Sequence, residues 1–150
     1  MDISGIVAQV ASHAFTTGLF ESVNSHEPKS VPGNGLTCSV WANSIGPLPR
    51  GSGLAEVTTL IVMSVRIYTP MMQQPYDDID PNMMKAVDVL FNSYIGAFTL
   101  GGAVRDVDVL GMYGTPLSAQ AGYINQDGKV MRVMTINLPL VVNDAWAEVA

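Results

Sequence analysis

Residues 118–125 and 129–142 are two strand-like runs held apart by Gln126-Asp127-Gly128, and no other feature restricts the fold of this chain as strongly. An Asp-Gly pair between such runs marks a tight hairpin, because both central turn positions need positive φ, which Gly and Asp accept at low cost. Strands joined in this way must run antiparallel, so the fold is built on an antiparallel sheet. The second run contains Pro139. Proline cannot donate to a ladder, so the sequence predicts an edge strand or a bulge there.

Further strands follow from period-two patterning. Residues 36–45 place Leu36, Cys38, Val40 and Ala42 on one face and Thr37, Ser39, Trp41 and Asn43 on the other, the pattern of a half-buried strand. The longest strand runs from Ala55 to Tyr68, is rich in β-branched residues, and puts Val57, Ile61, Met63, Val65 and Ile67 on its core face. Over 104–110, Val104, Asp106, Asp108 and Leu110 alternate with Arg105, Val107 and Val109, and the charges suit a sheet margin.

Two segments carry helical spacing instead. Ile3, Ile6, Val7, Val10, Ala14 and Phe15 form one apolar stripe over residues 3–20, with Asp2 as N-cap. Met84, Val87, Phe91 and Tyr94, supported by Leu90 and Ile95, form another up to about Ala97. It starts at Asp80 as N-cap with Pro81 at the first helical position. Stretches 24–35, 46–53 and 69–82 are dense in Pro, Gly, Ser and Asn and read as loops. The order is helix, two strands, helix, three strands. That is one α+β domain with a mainly antiparallel sheet flanked by two helices, and 150 residues suffice for one such core.

Composition decides what covers this domain. Apolar residues make up 48% of the chain and charged residues 13%, about half the usual share. Much of the surface must therefore be uncharged, as in a membrane protein or in a subunit covered by neighbours. No run approaches the roughly 20 apolar residues that cross a bilayer, so no membrane partner is expected. The start, Met1-Asp2, has no basic region and spaced apolar positions, which argues for a protein made in the cytosol rather than secreted. A net charge of −6 with seven scattered cations argues against a nucleic-acid-binding surface.

The residues offer little chemistry. His13 lies mid-helix and His26 in a loop beside Glu27, with no pair of His one helical turn apart to hold a metal. Asp77, Asp78 and Asp80 lack the calcium-loop pattern and suit a solvated loop entering a helix. Gly33-Asn34-Gly35 and Gly101-Gly102 are turn glycines without a phosphate-loop lysine. Cys38 is the one cysteine, reads as a small core residue and lacks a base nearby. No catalytic residue, metal or cofactor is expected.

Several strings occur in a telling order: His26-Glu27-Pro28-Lys29-Ser30, Pro32-Gly33-Asn34-Gly35-Leu36, Arg66-Ile67-Tyr68 and Asp78-Ile79-Asp80-Pro81. They are followed by Leu100-Gly101-Gly102, Val104-Arg105, Ala121-Gly122-Tyr123, Asp127-Gly128-Lys129 and Ile136-Asn137-Leu138-Pro139. Together, over nearly the whole chain, they resemble the tail terminator proteins of long-tailed bacteriophages that infect actinobacteria. The resemblance implies an α+β fold and a hexameric ring with a channel that DNA passes without specific binding. It implies a cap on the tail tube that ends polymerisation at its set length, with the major tail tube protein and head-completion or adaptor neck proteins as partners. The place would be the neck of the virion, after assembly in the host cytoplasm.

Within that reading, loops 46–53 and 69–78 are expected to make ring or tube contacts through Pro49, Arg50, Met71, Met72, Pro75 and Tyr76, since these loops hold uncharged, Pro- and Met-containing stretches beside long strands. Asp106 and Asp108 are expected to face the channel, where acidic groups would not hold phosphates. Two alternatives stay open: a head-completion or adaptor neck protein, and a small-molecule-binding or enzymatic α+β domain.

Overall fold

A computed structural model of the chain describes residues 1–20, 22–24, 36–48, 56–70, 79–126 and 128–147. The first helix, α1, spans Ile3–Thr16, and the Asp2 side chain caps it by accepting from the Gly5 backbone N–H at 2.9 Å. It ends four residues before the predicted boundary. Thr17 turns its hydroxyl back to donate to the Ala14 carbonyl at 2.7 Å, and Gly18 follows with φ 71°, the left-handed residue that stops a helix. Ile6, Val10 and Ala14 are buried as expected, but Phe15 lies on the outer side, 70% exposed.

The strands are β1 (Ser22–Asn24), β2 (Thr37–Pro47), β3 (Glu56–Pro70), β4 (Asp106–Val107), β5 (Ser118–Gln126) and β6 (Lys129–Ala147). They form one sheet in the order β1-β2-β3-β6-β4, with β5 also on β6. All pairs are antiparallel except β1 with β2, so the α+β class with a mainly antiparallel sheet is what the structure has. β1 was not foreseen, because three residues are too few to show a period. The hairpin was: Gln126 pairs with Lys129, and Gly128 takes φ 77°.

The predicted strand over 104–110 contracts to Asp106–Val107, because the chain turns away at Asp108. Pro139 is a second correction. It sits in the central strand, paired with Val62 of β3, and not at an edge. The carbonyl of Pro139 accepts from Asp108 N–H at 3.0 Å, so its nitrogen also points to the β4 and β5 side, away from β3. On that side β5 ends its pairing at Asn137 and β4 begins at Leu140. The missing N–H therefore falls in the gap between two short strands and costs no ladder bond. Pro139→Ala is accordingly expected to change stability by less than about 1 kcal/mol, read from urea midpoints, whereas a central-strand proline opposite a paired carbonyl would be relieved by more.

Cys38 and Val40 of β2, Ile61, Met63, Val65 and Ile67 of β3, and Ile136, Leu138 and Leu140 of β6 form the sheet's contribution to the main core. Ile6, Val10 and Ala14 of α1 pack there with Met83, Ala86, Leu90 and Tyr94 of the second helix, α2, which spans Ile79–Gly96. α2 begins one residue before the expected cap at Asp80, so Pro81 still lies in the first turn, where its missing N–H has no intrahelical partner to lose. Its buried face is turned one position from the predicted one: Met84 is 65% and Ile95 46% exposed, with Val87 and Phe91 half-buried between the two sides. Both stripes are apolar at helical spacing. Tyr94 lies in the buried one, with its hydroxyl donating to the Val10 carbonyl at 3.0 Å.

After α2, Leu100, Gly101 and Gly102 are all left-handed, with φ of 48°, 71° and 89°. A bulky residue there costs about 1–2 kcal/mol. Full burial of the Leu100 side chain, worth about 2 kcal/mol, offsets it.

Candidate assembly surface

The turn between β4 and β5 is built around Asp108. Its two carboxylate oxygens accept from the backbone N–H groups of Met112 at 2.9 Å and Tyr113 at 3.0 Å. Its own backbone N–H donates to Pro139, which fastens the turn to β6. Gly111 has φ 71°, and a Cβ there would stand 2.7 Å from the Pro116 nitrogen, so the turn is tight enough to exclude other residues. Leu117 N–H donates to the Val109 carbonyl at 3.1 Å and closes it. The product is a rigid loop that holds Leu110 at 86% and Met112 at 78% exposure. Apolar side chains fixed outward by a braced turn are what a partner surface requires.

A second apolar surface at α2 is made by the exposed Met84 and Ile95 and by Phe98, which is 53% exposed, beside Val87 and Phe91, which are half-buried against the core. The helix therefore has one apolar side sunk in the core and a neighbouring one turned outward.

The sheet face away from the helices has a different character. Register places Ser39, Arg66, Thr135 and Gln120 in one row across it, and Trp41, Ser64, Asn137 and Ser118 in the next. Arg66 Nε donates to Thr135 Oγ1 at 2.9 Å, and its guanidinium lies 5.1 Å from the Trp41 ring centroid and 6.0 Å from that of Tyr68. Beside it, Thr37 Oγ1 and Ser39 Oγ are buried and make no hydrogen bond. Tyr68, Met131 and Val133 form a small separate cluster on this face, with Ile124 against it.

His13 Nδ1 and Ser93 Oγ meet at 3.1 Å and tie α1 to α2, with no carboxylate against either among the described residues. A shallow depression at the start of α1 is lined by Met1, Asp2, Gly5, Ile6, Gln9, Ala103 and Val142, and the Asp2 carboxylate there is committed to the helix cap. Among the described residues no group of His, Cys, Asp or Glu is set to hold a metal. No helix among them is long and apolar enough to cross a membrane.

Burial pushes the Cys38 thiol from 9.0 up to about 12. Tyr94 is raised above its usual 10.0 by burial first and by proximity to Cys38 second. Between these limits the unfolded chain has released the thiol proton and the folded chain still holds it. Stability is therefore unaffected by the thiol below pH 9 and falls as pH rises from there toward 12. The unfolding free energy from urea titrations should drop by about 1.4 kcal/mol per pH unit above the thiol's ordinary value, with a shallower slope in Cys38→Ala. Equal slopes in the two proteins would remove the thiol as the cause.

Asp106 and Asp108, expected together on a channel wall, separate. Asp108 is 6% exposed with both oxygens occupied, so its carboxylate serves the turn and not an aqueous wall. Asp106 stays 37% exposed, 3.6 Å from Arg105. Pro49, Arg50, Met71, Met72, Pro75 and Tyr76 lie outside the described residues, as do His26, Asp77 and Asp78. The described residues nearest these two loops, Leu48 and Pro70, fall toward opposite ends of the long β3, since Leu48 N–H donates to Thr58 and Pro70 closes the strand. The braced turn was missed from sequence, although Gly111, Gly114 and Pro116 following Asp108 were its signal.

No protein-family model matches the chain, and no curated protein matches it. Among solved structures the chain is similar to the sheath/tube terminator of an extracellular contractile injection system, PVC, in its extended state, with a TM-score of 0.32 and 9% identity. The match covers 97% of this chain, which spans 60% of the length of that terminator.

Proposed function

We propose that this chain is a non-catalytic structural subunit of a bacteriophage tail, a terminator that caps the tail tube as a ring at the neck. The observation that carries the assembly role is the display of Leu110 and Met112 on a turn braced by Asp108, in a domain with 13% charged residues. Large apolar side chains held out rigidly lose free energy to water and regain it against a neighbour, so the fold is made to be covered. The ordered strings from His26 to Pro139 supply the tail-terminator part of the reading.

A heterologous contact closes into a ring when its rotation divides the circle, and a closed ring with one tube-like face stops a growing tube. The hexamer, the contact with the tail tube protein, the head-side contact and the passage of DNA all belong to this proposal. The charge of −6 fits a channel that must release phosphates quickly. With Asp108 committed to its turn, Asp106 is the carboxylate to test: Asp106→Lys should slow DNA ejection if it lines the channel, and unchanged ejection kinetics would remove it from there.

The direct test of the contact surface is the double variant Leu110→Glu, Met112→Glu, mixed with polymerised tail tubes. Both side chains are exposed, so the thermal midpoint should stay at the wild-type value while capping of tube ends is lost. Undiminished capping would take this turn out of the assembly surface. A protein that instead seats on the head-side connector would make it a head-completion component.

A further inference from the structure

We infer that successive copies of this chain join edge to edge, the outer edge of β5 in one copy pairing with the outer edge of β2 in the next. The inference rests on the ring reading above and specifies the contact that closes the ring.

Backbone direction identifies which groups each edge offers. Pro139 and Val141 direct their carbonyls toward the β4 and β5 side, so odd-numbered residues of β6 down to Met131 do the same. Their partners in β5 are Ser118, Gln120, Gly122 and Ile124, which bond inward. Ala119, Ala121, Tyr123 and Asn125 then turn their N–H and C=O outward. In β2, Gly46 and Ser44 oppose Leu60 and Val62 and bond to β3, which leaves Val40, Ala42 and Ile45 facing outward. Among the described residues, β1 covers β2 at Thr37, Cys38 and Ser39.

Protected edges carry Lys, Pro or bulges. β5 has none of these: Ser118–Gln126 contains no charged residue and no proline, and its register with β6 runs unbroken. Gln120, Ala121, Tyr123 and Asn125 are exposed along it. The stretch from Trp41 to Pro47 is also uncharged, with Asn43, Ser44 and Ile45 exposed, but its register shifts between Ala42 and Ser44 and Pro47 has no N–H to offer, so the contact on this edge is confined to Val40, Ala42 and Ile45. In a chain of net charge −6, two copies meet most cheaply where neither brings a carboxylate, and these edges satisfy that condition. They lie on opposite sides of the sheet, so joining one to the other is head-to-tail and propagates. Directions agree as well. Each of β2, β3, β6 and β5 is antiparallel to the one before it. A rotation about an axis along the strands brings β2 of the next copy antiparallel to β5, continuing the alternation.

The test uses two variants, Ala121→Pro and Ile45→Pro, each of which blocks one edge without removing an existing ladder bond. Each alone is expected to sediment as a monomer at concentrations where the wild type forms rings, while their equimolar mixture forms a dimer and stops there. A dimer of Ile45→Pro alone would show β5 pairing with itself and overturn the inference. So would rings from either variant, which would locate the contact elsewhere and leave the ring reading standing.

Hydrogen exchange of the wild type gives a readout free of folding effects. In the assembled protein the outward amides of Ala119, Ala121 and Tyr123 should become as protected as the inward ones of Gln120 and Gly122, and in the monomer they should exchange freely. Rings in which these amides still exchange freely overturn the edge contact alone. A wild type that neither self-associates at the highest concentration it reaches nor caps tail tubes overturns both.

Discussion

Tyr94→Ala is expected to lower the stability of the fold by about 3–5 kcal/mol, measured by urea unfolding, the range for deleting a fully buried ring. Tyr94 has no exposed surface and stands where α2 meets α1 and the sheet core. Its removal empties the space between the helices and also deletes the hydroxyl that donates to the Val10 carbonyl at 3.0 Å. Tyr94→Phe separates these parts: it keeps the ring and should cost about 1 kcal/mol, the net value of a neutral hydrogen bond. If the two variants lose stability equally, packing is not what sets α2 in its observed rotation. The helices also carry the outward apolar stripe, so Tyr94→Ala should reduce assembly through loss of folded protein.

Asp108→Ala is the second large effect, about 2 kcal/mol or more. It leaves the N–H groups of Met112 and Tyr113 without their acceptor, and a part-buried donor left unpaired costs about 1–3 kcal/mol, moderated where water can reach it. The consequence for assembly is sharper than for folding. Without the carboxylate the turn no longer fixes Leu110 and Met112 outward, so capping should weaken even where the domain remains folded. Asp108→Asn retains one acceptor oxygen and should fall between wild type and Asp108→Ala. Asp106→Ala is the control: its ion pair with Arg105 is half-exposed, and such pairs contribute little. Comparable losses from Asp106→Ala and Asp108→Ala would contradict the assigned division of roles.

Features with a local cause were legible in the sequence. The cap at Asp2 needs a short side chain with an oxygen acceptor three residues from a free N–H, and it is there. The Asp127-Gly128 hairpin and the core faces of β2 and β3 follow from turn chemistry and strand alternation, which depend on neighbours in the chain. What was misread depends on neighbours in space. Pro139 could be placed at an edge because a proline says that one N–H is missing, not which side of a strand lacks a partner. The rotation of α2 was ambiguous because Met83, Ala86, Leu90 and Tyr94 and the parallel series Met84, Val87, Phe91 and Ile95 satisfy the same spacing.

Asp108 shows the same limit for the candidate site. Its place in an alternating run suggested an exposed charge, whereas the bonds it accepts come from residues four and five positions on and draw it inward. Leu110 and Met112 look like ordinary strand and turn residues until the turn around them is seen to be braced. The loop residues named for assembly, Pro49, Arg50, Met71, Met72, Pro75 and Tyr76, lie outside the described residues, so that expectation passes directly to experiment.

The central claim is that this chain ends a tail tube. It is tested most directly by electron microscopy of the purified wild-type protein mixed with polymerised tail tubes from the same phage, scoring both ends of each tube. The account predicts a sixfold ring on one end and bare tube at the other, with no further growth from the capped end. Tubes bare at both ends, or continuing to elongate in the presence of folded protein at high concentration, would contradict it.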